Sequence, residues 1–569
     1  MNSVQPICSK TDQLLPAMNQ FTGIIRNRLP RKPVSGFVQA FPERGIPHRA
    51  GSRVSANGWR VPYDREPPRR AGTESRRMAG ACLMTGNLAS GGEQSRRRPA
   101  PKGRAGPEEA GIQQWSSGDN EEMIREKSFY RQFFAMLIVL VLQNVITLSV
   151  NLADNIMIGG YSEVSLSGVA SVNQIQFIYQ QLLSALGEGI VILGSQYFGK
   201  KKLEPVKEIA ACAMQFALGL CVILFVAMSL FPGVILSVFT TDKAIIAEGV
   251  RYVGIIRFTY PFFAVTQILL ATLRGTGTVK IALALSVVAL IINCCINYTL
   301  IYGRFGAPEM GVAGAAIGTL VSRVTETGIL LLYLSRREKI LHLKPRDFLA
   351  GNAELRRDYV RVTWPMTVVQ GLWGFNLAAQ NAILGHMTSR AIAANSVSST
   401  FYSVVKAMPV GACGTAAFIT GKTVGEGDAG KIRLTSKTLQ ILFVSIGVVA
   451  GLALFLIKDP LLSLYKLEPE TLELTESFLL VLCVIAVTMS YQMPTNNGII
   501  RGGGDTAFTM KLDLISIWCI VLPLSFVMAF VVKASPLVVV CCLNADQVFK
   551  CVPAFIKVNY GHWVKQLTR

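Results

Sequence analysis

Charge is scarce in this sequence. Asp, Glu, Lys and Arg make up 16% of it against 51% hydrophobic residues, and the mean hydropathy is +0.41. A soluble domain carries about 25% charged residues, so the deficit excludes a water-soluble globule and points to a polytopic membrane protein. Histidine is nearly missing, with 4 scattered copies, and the 12 cysteines form no CxxC or Cys/His spacing. A metal site therefore has no ligands to use. The pairs Cys294-Cys295 and Cys541-Cys542 lie in apolar runs and read as small packing residues. No Walker motif occurs. The Gly-rich stretches at Arg274–Gly277 and Arg501–Thr506 follow no strand and carry no P-loop lysine. They read as tight interhelical turns, and ATP is not the expected energy source. No paired Asp-rich or His motif lies near a membrane surface, so no catalytic residues are expected.

Residues 1–122 lack any sustained apolar period and are rich in Arg, Pro, Gly and Ser, as at Arg96-Arg97-Arg98. Such a composition buries no core, and Met78–Leu88 is too short and too polar for a signal-peptide core. The segment holds 19 Lys+Arg against 11 Asp+Glu, so +8 of the net +21 sits here. It reads as a disordered basic extension. Two readings stand: a tail for anionic lipid or nucleic acid, or an artefact of a start site that truly lies at Met123.

From Phe133 onward the chain is mostly apolar. About twelve runs are long enough to cross a bilayer as helices, which takes about 20 residues each. They fall near 133–158, 168–196, 209–231, 250–272, 279–302 and 311–335, then 362–386, 391–420, 437–457, 473–500, 508–532 and 535–558. The loops after even-numbered runs collect Lys and Arg: Lys200–Lys202 and Lys207, Arg274 and Lys280, Arg336 to Arg361, Lys422 to Lys437, and Arg501 with Lys511. The positive-inside rule then puts both termini and the 336–361 linker in the cytoplasm. The domains expected are a six-helix lobe over 123–335 and a second over 362–569.

One stretch organises the rest. In the first run Asp154 lies between Asn151 and Asn155, and the i, i+3, i+4 spacing puts all three on one helix face. A carboxylate within a bilayer costs about 2.5–3.5 kcal/mol, so a chain that keeps one uses it on an ion or proton path. The alternative is a wet residue at the outer interface. Asn293 and Asn297 stand i, i+4 on the fifth run, either beside that path or simply bonding helices together. Glu188, between two glycines on the second run, is an auxiliary site or the partner of a buried cation such as Arg257. Arg323 and Glu326 on the sixth run read as a structural i, i+3 pair. Asp513 is the one deep acid expected in the second half.

The halves repeat. Asn155–Gly159 matches Asn381–Gly385 and Gly199 matches Gly425, both at an offset of 226, while Arg274–Gly277 matches Arg501–Gly504 at 227. Two six-span halves enter from the same side, as parallel repeats about an axis along the membrane normal. The first-run acid, SQYFGKK at Ser195–Lys201, LRGTG at Leu273–Gly277, NCCINYTLIYG at Asn293–Gly303, GVAGAAIGT at Gly311–Thr319 and RGGGDT at Arg501–Thr506 resemble the bacterial type of the multidrug and toxin extrusion (MATE) family. The likeness covers about Met123 to the C-terminus.

The resemblance implies an all-α membrane fold of two six-helix bundles around a V-shaped cavity. It implies export of organic cations or other xenobiotics in antiport with Na+ or H+, by a monomer in a bacterial inner membrane. Small-molecule drugs and membrane lipid would be the partners, and no nucleic acid or further cofactor. The alternative within the wider superfamily is a flippase for lipid-linked saccharides. Such flippases usually carry several cationic cavity residues, and Arg257 is the one clear intramembrane candidate read here. The resemblance assigns cation or proton coupling to Asp154, with Asn293, Asn297, Thr319 and Glu188 in support. The substrate cavity would draw on Asn151, Asn155, Asn376, Gln380 and Asn381. The chain departs from the family pattern where Asn297 replaces a second acid, where Val139 replaces the usual first-span proline, and where the seventh and tenth spans lack the acids that one bacterial branch uses for Na+. The coupling site is therefore expected in the first lobe.

Overall fold

The computed structural model describes residues 123–568 apart from 339, 344–346, 349–350, 464 and 466, and apart from the side chains of 381 and 389. The basic extension, Lys339, Lys344, Arg346 and the side chain of Asn381 lie outside the described residues. The described residues are helical almost throughout. The first lobe comprises α1 (Lys127–Tyr161), α2 (Glu163–Gly199), α3 (Glu204–Leu230), α4 (Lys243–Ile256), α5 (Thr259–Gly275), α6 (Lys280–Ile301) and α7 (Val312–Arg336). The second comprises α8 (Ala353–Gly385), α9 (Ser389–Glu426), α10 (Ala429–Leu462), α11 (Pro469–Pro494), α12 (Thr506–Leu514), α13 (Pro536–Leu543), α14 (Ala545–Phe549) and α15 (Cys551–Tyr560). α11 runs on through π-helical turns to Ile500, and α12 likewise to Val531.

Twelve helical elements stand among the described residues where twelve runs were read, with three qualifications. α4 and α5 make one crossing bent by 57°, and α13 with α14–α15 makes another bent by 43°. The first bend has a local cause. Pro261 lacks an N–H and its ring crowds the carbonyl four residues back, at Arg257, which is where α4 ends. By length and hydropathy nine described helices, or eleven with the bent pairs, could cross a membrane, and α8 fails that test. Its row of Gln370, Asn376 and Gln380 dilutes the apolar surface. α1 is unbroken, in keeping with Val139 in place of a proline, whereas α8 and α9 contain Pro365 and Pro409.

The internal repeat is built into the structure. Ser162 caps α2 by accepting from the Ser165 amide at 3.3 Å, and Thr388, 226 residues on, caps α9 by accepting from Ala391 at 3.1 Å. These equivalent helices cross at the lobe interface, and the crossing is reciprocal. A side chain at Gly199 would strike the Lys422 carbonyl of α9, and one at Gly425 would strike the Gln196 carbonyl of α2. That pattern is what a two-fold axis between repeats produces. α1 packs in the same seam, with Phe133, Leu137 and Leu140 buried among Ala412, Phe418, Leu439 and Ile499 of the second lobe.

The last residues stitch the seam at the end of the bundle that carries the basic loops, called here the basic end. Trp563 is 1% exposed, and the Lys565 amide donates to the Gly503 carbonyl at 2.7 Å. Gln196 of the first lobe accepts from the Leu567 amide at 3.0 Å and donates to the Lys565 carbonyl at 3.3 Å. Lys200 donates to the Thr568 carbonyl at 3.0 Å. Asp505, which caps α12, accepts from Lys565 at 2.8 Å and pairs with Lys557 at 3.0 Å. Burial opposes its charge, but the two ammonium groups outweigh burial and hold the carboxyl below its ordinary value.

Candidate functional site

Asp154, near the end of α1, is turned toward α6. Asn297 donates from Nδ2 to Asp154 Oδ1 at 2.6 Å and to Asn293 Oδ1 at 3.3 Å. Asn293 donates to the Thr319 hydroxyl of α7 at 3.4 Å. Both asparagines are buried, and the Tyr252 side chain of α4 lies beside Thr319 and Asp154. The cluster therefore gathers a carboxylate, two amides and a hydroxyl from three helices, as the resemblance implied. Gly318 makes the gathering possible, because any side chain there would run into Asn297 Oδ1. That oxygen is buried and has no protein partner. Arg323 is close enough for its charge to act on Asp154, but its guanidinium bonds Glu326 at 2.8 Å and lies 4.8 Å over the Phe263 ring. No basic side chain forms a salt bridge with Asp154 among the described residues. Oxygen donors with an unpartnered acceptor suit a small hard cation or a proton.

Asn151 and Asn155 remain exposed beside Asp154 rather than joining its hydrogen bonds. On α8, Asn376 is buried within the second lobe and accepts from Gln380 at 3.2 Å. Gln370 faces the first lobe: Gln181 of α2 donates to it at 3.2 Å, and it reaches Glu188 at 3.5 Å. The named contacts between lobes thus run from the basic end to the level of Gln181 and Gln370. Beyond it, the outer part of α2 packs on α4 at Glu248 and Gly249, and that of α8 packs on α11 and α13. Gly374 of α8 still lies against Ile178 of α2, and beyond that pair each lobe packs on itself.

Glu188 is a partner of a buried cation, but that cation is Arg501 and not Arg257. Arg501, 4% exposed, pairs with Glu188 at 3.1 Å and with Asp513 at 3.3 Å. Lys550 bridges Asp513 at 2.9 Å and Asp546 at 3.1 Å. Gln547 donates to Asp546 at 2.8 Å and accepts from Gln492 at 2.6 Å. Arg257 sits instead at the α4–α5 bend over Phe225 and Phe258, 5.9 and 5.2 Å from their ring centres.

Three expectations are corrected by this network. Asp513 is not the one deep acid of the second half, since Asp546 is buried too. Arg274 and Arg501 stand in the last helical turn just before the interhelical turns, and their side chains are not loop charges; Arg501 points into the bundle and Arg274 lies by Gly414 of α9. The intramembrane cations also number more than Arg257: Arg274, Lys406, Arg501 and Lys550 join it. The i, i+4 spacing of Asp546 and Lys550 was a readable signal inside the last run. So was Lys406, alone in the middle of an apolar stretch.

Known proteins fit this architecture. The MatE family model matches residues 140–299 and 365–527, one block per lobe and together more than half of the chain. "Probable multidrug resistance protein NorM" of Thermotoga maritima is 25% identical over 430 residues, covering 75% of this chain and 92% of its own length. "Probable multidrug resistance protein YoeA" of Bacillus subtilis is 26% identical over 414 residues, covering 71% and 88%. The solved outward-facing conformation of a multidrug resistance MATE transporter of the MOP superfamily superposes with a TM-score of 0.69 at 18% identity, over 77% of this chain and 98% of that one. A MOP superfamily transporter from Pyrococcus furiosus gives 0.69 at 17%, over 75% and 94%. These likenesses establish the fold, and the family match establishes descent: the chain belongs to the MatE family of multi-helix membrane transporters.

Proposed function

We propose that the protein is a cation-coupled exporter of drugs and organic cations, working as an antiporter by alternating access. The observation that carries this reading is the Asp154 cluster. A carboxylate at membrane depth is met by the Asn297 amide at 2.6 Å and by no salt-bridging base. Such a group can exchange Na+ or a proton, and its occupancy can bias two conformations of the bundle. The names of the NorM and YoeA relatives supply the multidrug cargo. The positive-inside rule supplies the direction, with the basic end in the cytoplasm. A tag after Arg337 should then be reachable only from inside and one placed between residues 459 and 472 only from outside.

In inverted vesicles, the expected result is accumulation of a fluorescent cationic dye driven by a Na+ or pH gradient. No dye movement under either gradient would overturn the reading. A lipid-linked saccharide flippase stays the second reading, favoured by the intramembrane cations Arg274 and Lys406. It predicts instead gradient-independent binding of a polyprenyl pyrophosphate and no dye transport.

A further inference from the structure

We infer that a cavity at the end of the first lobe away from the basic loops is the entry vestibule of the coupling cation, a small monovalent ion, on its way to Asp154, and that Glu248 is the acid that draws it in. The inference rests on the export reading above and deepens it by giving the ion a door of its own inside the first lobe.

The cavity measures about 690 Å3. It is lined by Tyr161 at the end of α1, Ser165 of α2, Ala247, Glu248 and Arg251 of α4, and Val312 of α7.

The first ground is register. The helices that present the cation site also line the cavity, each along one face. On α1 Tyr161 is seven residues from Asp154, on α7 Val312 is seven from Thr319, and on α4 Glu248 is four from Tyr252. Spacings of four and seven stay on one face of a helix, and seven residues rise about 10 Å. The cavity therefore stands about two turns above the site, along the same three helices. At the level between them, Ile158 on α1 and Ala315 and Ala316 on α7 are all buried. Ile158 is the one bulky side chain that these two helices place there.

The second ground is a sealed flank. Gly168 of α2 lies against the Gly249 amide and the Ile245 carbonyl of α4, and a Cβ on it would stand 2.9 and 3.0 Å from them. α2 and α4 are thus locked backbone to backbone. The way inward that remains runs between α1, α4 and α7.

The third ground is charge. Glu248 is half-buried and accepts from the buried Ser165 hydroxyl at 3.2 Å. No base forms a salt bridge with it among the described residues. Arg251 is exposed, and Glu309 stands opposite it at the Tyr161 hydroxyl. Acids thus outnumber the base here, and a concave site with an excess of one sign concentrates the opposite ion. A carboxylate bonded to one hydroxyl keeps free lone pairs for a cation. The next acid inward on these faces is Asp154, beside the unpartnered Asn297 Oδ1.

The test uses right-side-out vesicles of the full chain, loaded with a fluorescent cationic dye and given an external Na+ or acid pulse. Ala247→Cys is labelled from outside with a trimethylammonium methanethiosulfonate, which puts a bulky cation in the cavity. Labelling is expected to slow the initial efflux about ten-fold and to leave equilibrium dye binding unchanged. The wild-type chain treated alike controls for the native cysteines and should be unaffected. Glu248→Gln should raise the external cation concentration for half-maximal efflux about ten-fold, more than it lowers the maximal rate. Glu470→Gln, at the same end of the second lobe, should move neither. Labelled Ala247→Cys that pumps as fast as the unlabelled variant would overturn the vestibule. So would Glu248→Gln that lowers the maximal rate without moving half-saturation, the mark of a merely structural role. A wild-type chain that moves no dye under either pulse would instead overturn the export reading, so the two failures are told apart.

Discussion

Asp154 in the first lobe and the buried acids of the second are held in opposite ways. In the first, Asp154 is surrounded by neutral donors, Asn293, Asn297 and Thr319, and one buried oxygen is left without a partner. In the second, Asp513 and Asp546 are matched by Arg501 and Lys550, and Arg501 also captures Glu188 across the seam. A buried acid held by an internal base has its counterion for good, and releasing it leaves an uncompensated charge. A buried acid held by amides keeps an exchangeable place. The partner therefore decides whether a buried acid is fixed or left exchangeable.

The sharpest break of this comparison is Asp154→Asn. It keeps size and hydrogen bonding but removes the charge, and gradient-driven dye efflux should fall at least ten-fold with expression unchanged. Asp513→Asn in the same vesicle assay should cost less. Equal losses would erase the distinction between the lobes.

Arg501→Met comes next and should act on stability. It strands Glu188 and leaves Asp513 to Lys550 alone, and breaking a buried pair costs about 3–5 kcal/mol. The low end is expected, since Glu188 is 34% exposed. Thermal unfolding in detergent measures it, and an unchanged midpoint would show that the network holds nothing together.

Gly425→Val probes the seam itself. The valine would meet the Gln196 backbone, which cannot swing aside as a side chain would, so about 1–3 kcal/mol of overpacking should fall on the closed basic end. Cross-linking between cysteines introduced into α2 and α9 should slow accordingly.

The smallest effect is expected from pH on the tail. Asp505 is held below its ordinary value, so its ion pairs contribute at all pH above about 3.9, the usual carboxylate value, and are lost as pH falls through the depressed one. Protease trimming of the tail should be constant from about pH 8 to 5 and speed up only below about 4, whereas Asp505→Asn should loosen it throughout. The gain is modest because Lys565 is half exposed.

Much of this was legible in the residues. The apolar runs found the helices because a crossing must satisfy its own backbone in lipid, though α8 falls short of a crossing by hydropathy, and the Gly199 and Gly425 spacing announced the repeat that the α2–α9 crossing realises. Asp154 could be read because an acid in an apolar run stands out. The Glu188–Arg501 pair could not be, since its members are 313 positions apart and Arg501 looks like a loop charge. Nor could the bend at Arg257 be told from a straight span, because hydropathy averages over a proline.

The tail also orders the making of the molecule. Residues 563–568 follow both lobes in the chain, yet they supply the strands of contact that join Gly503 to Gln196. Each lobe can complete its own bundle as it enters the membrane, but the seam between them lacks its final stitches until the ribosome has passed the second lobe. Closure of the basic end therefore depends on a segment that belongs to neither bundle, and it is complete only once residues 563–568 have docked across both.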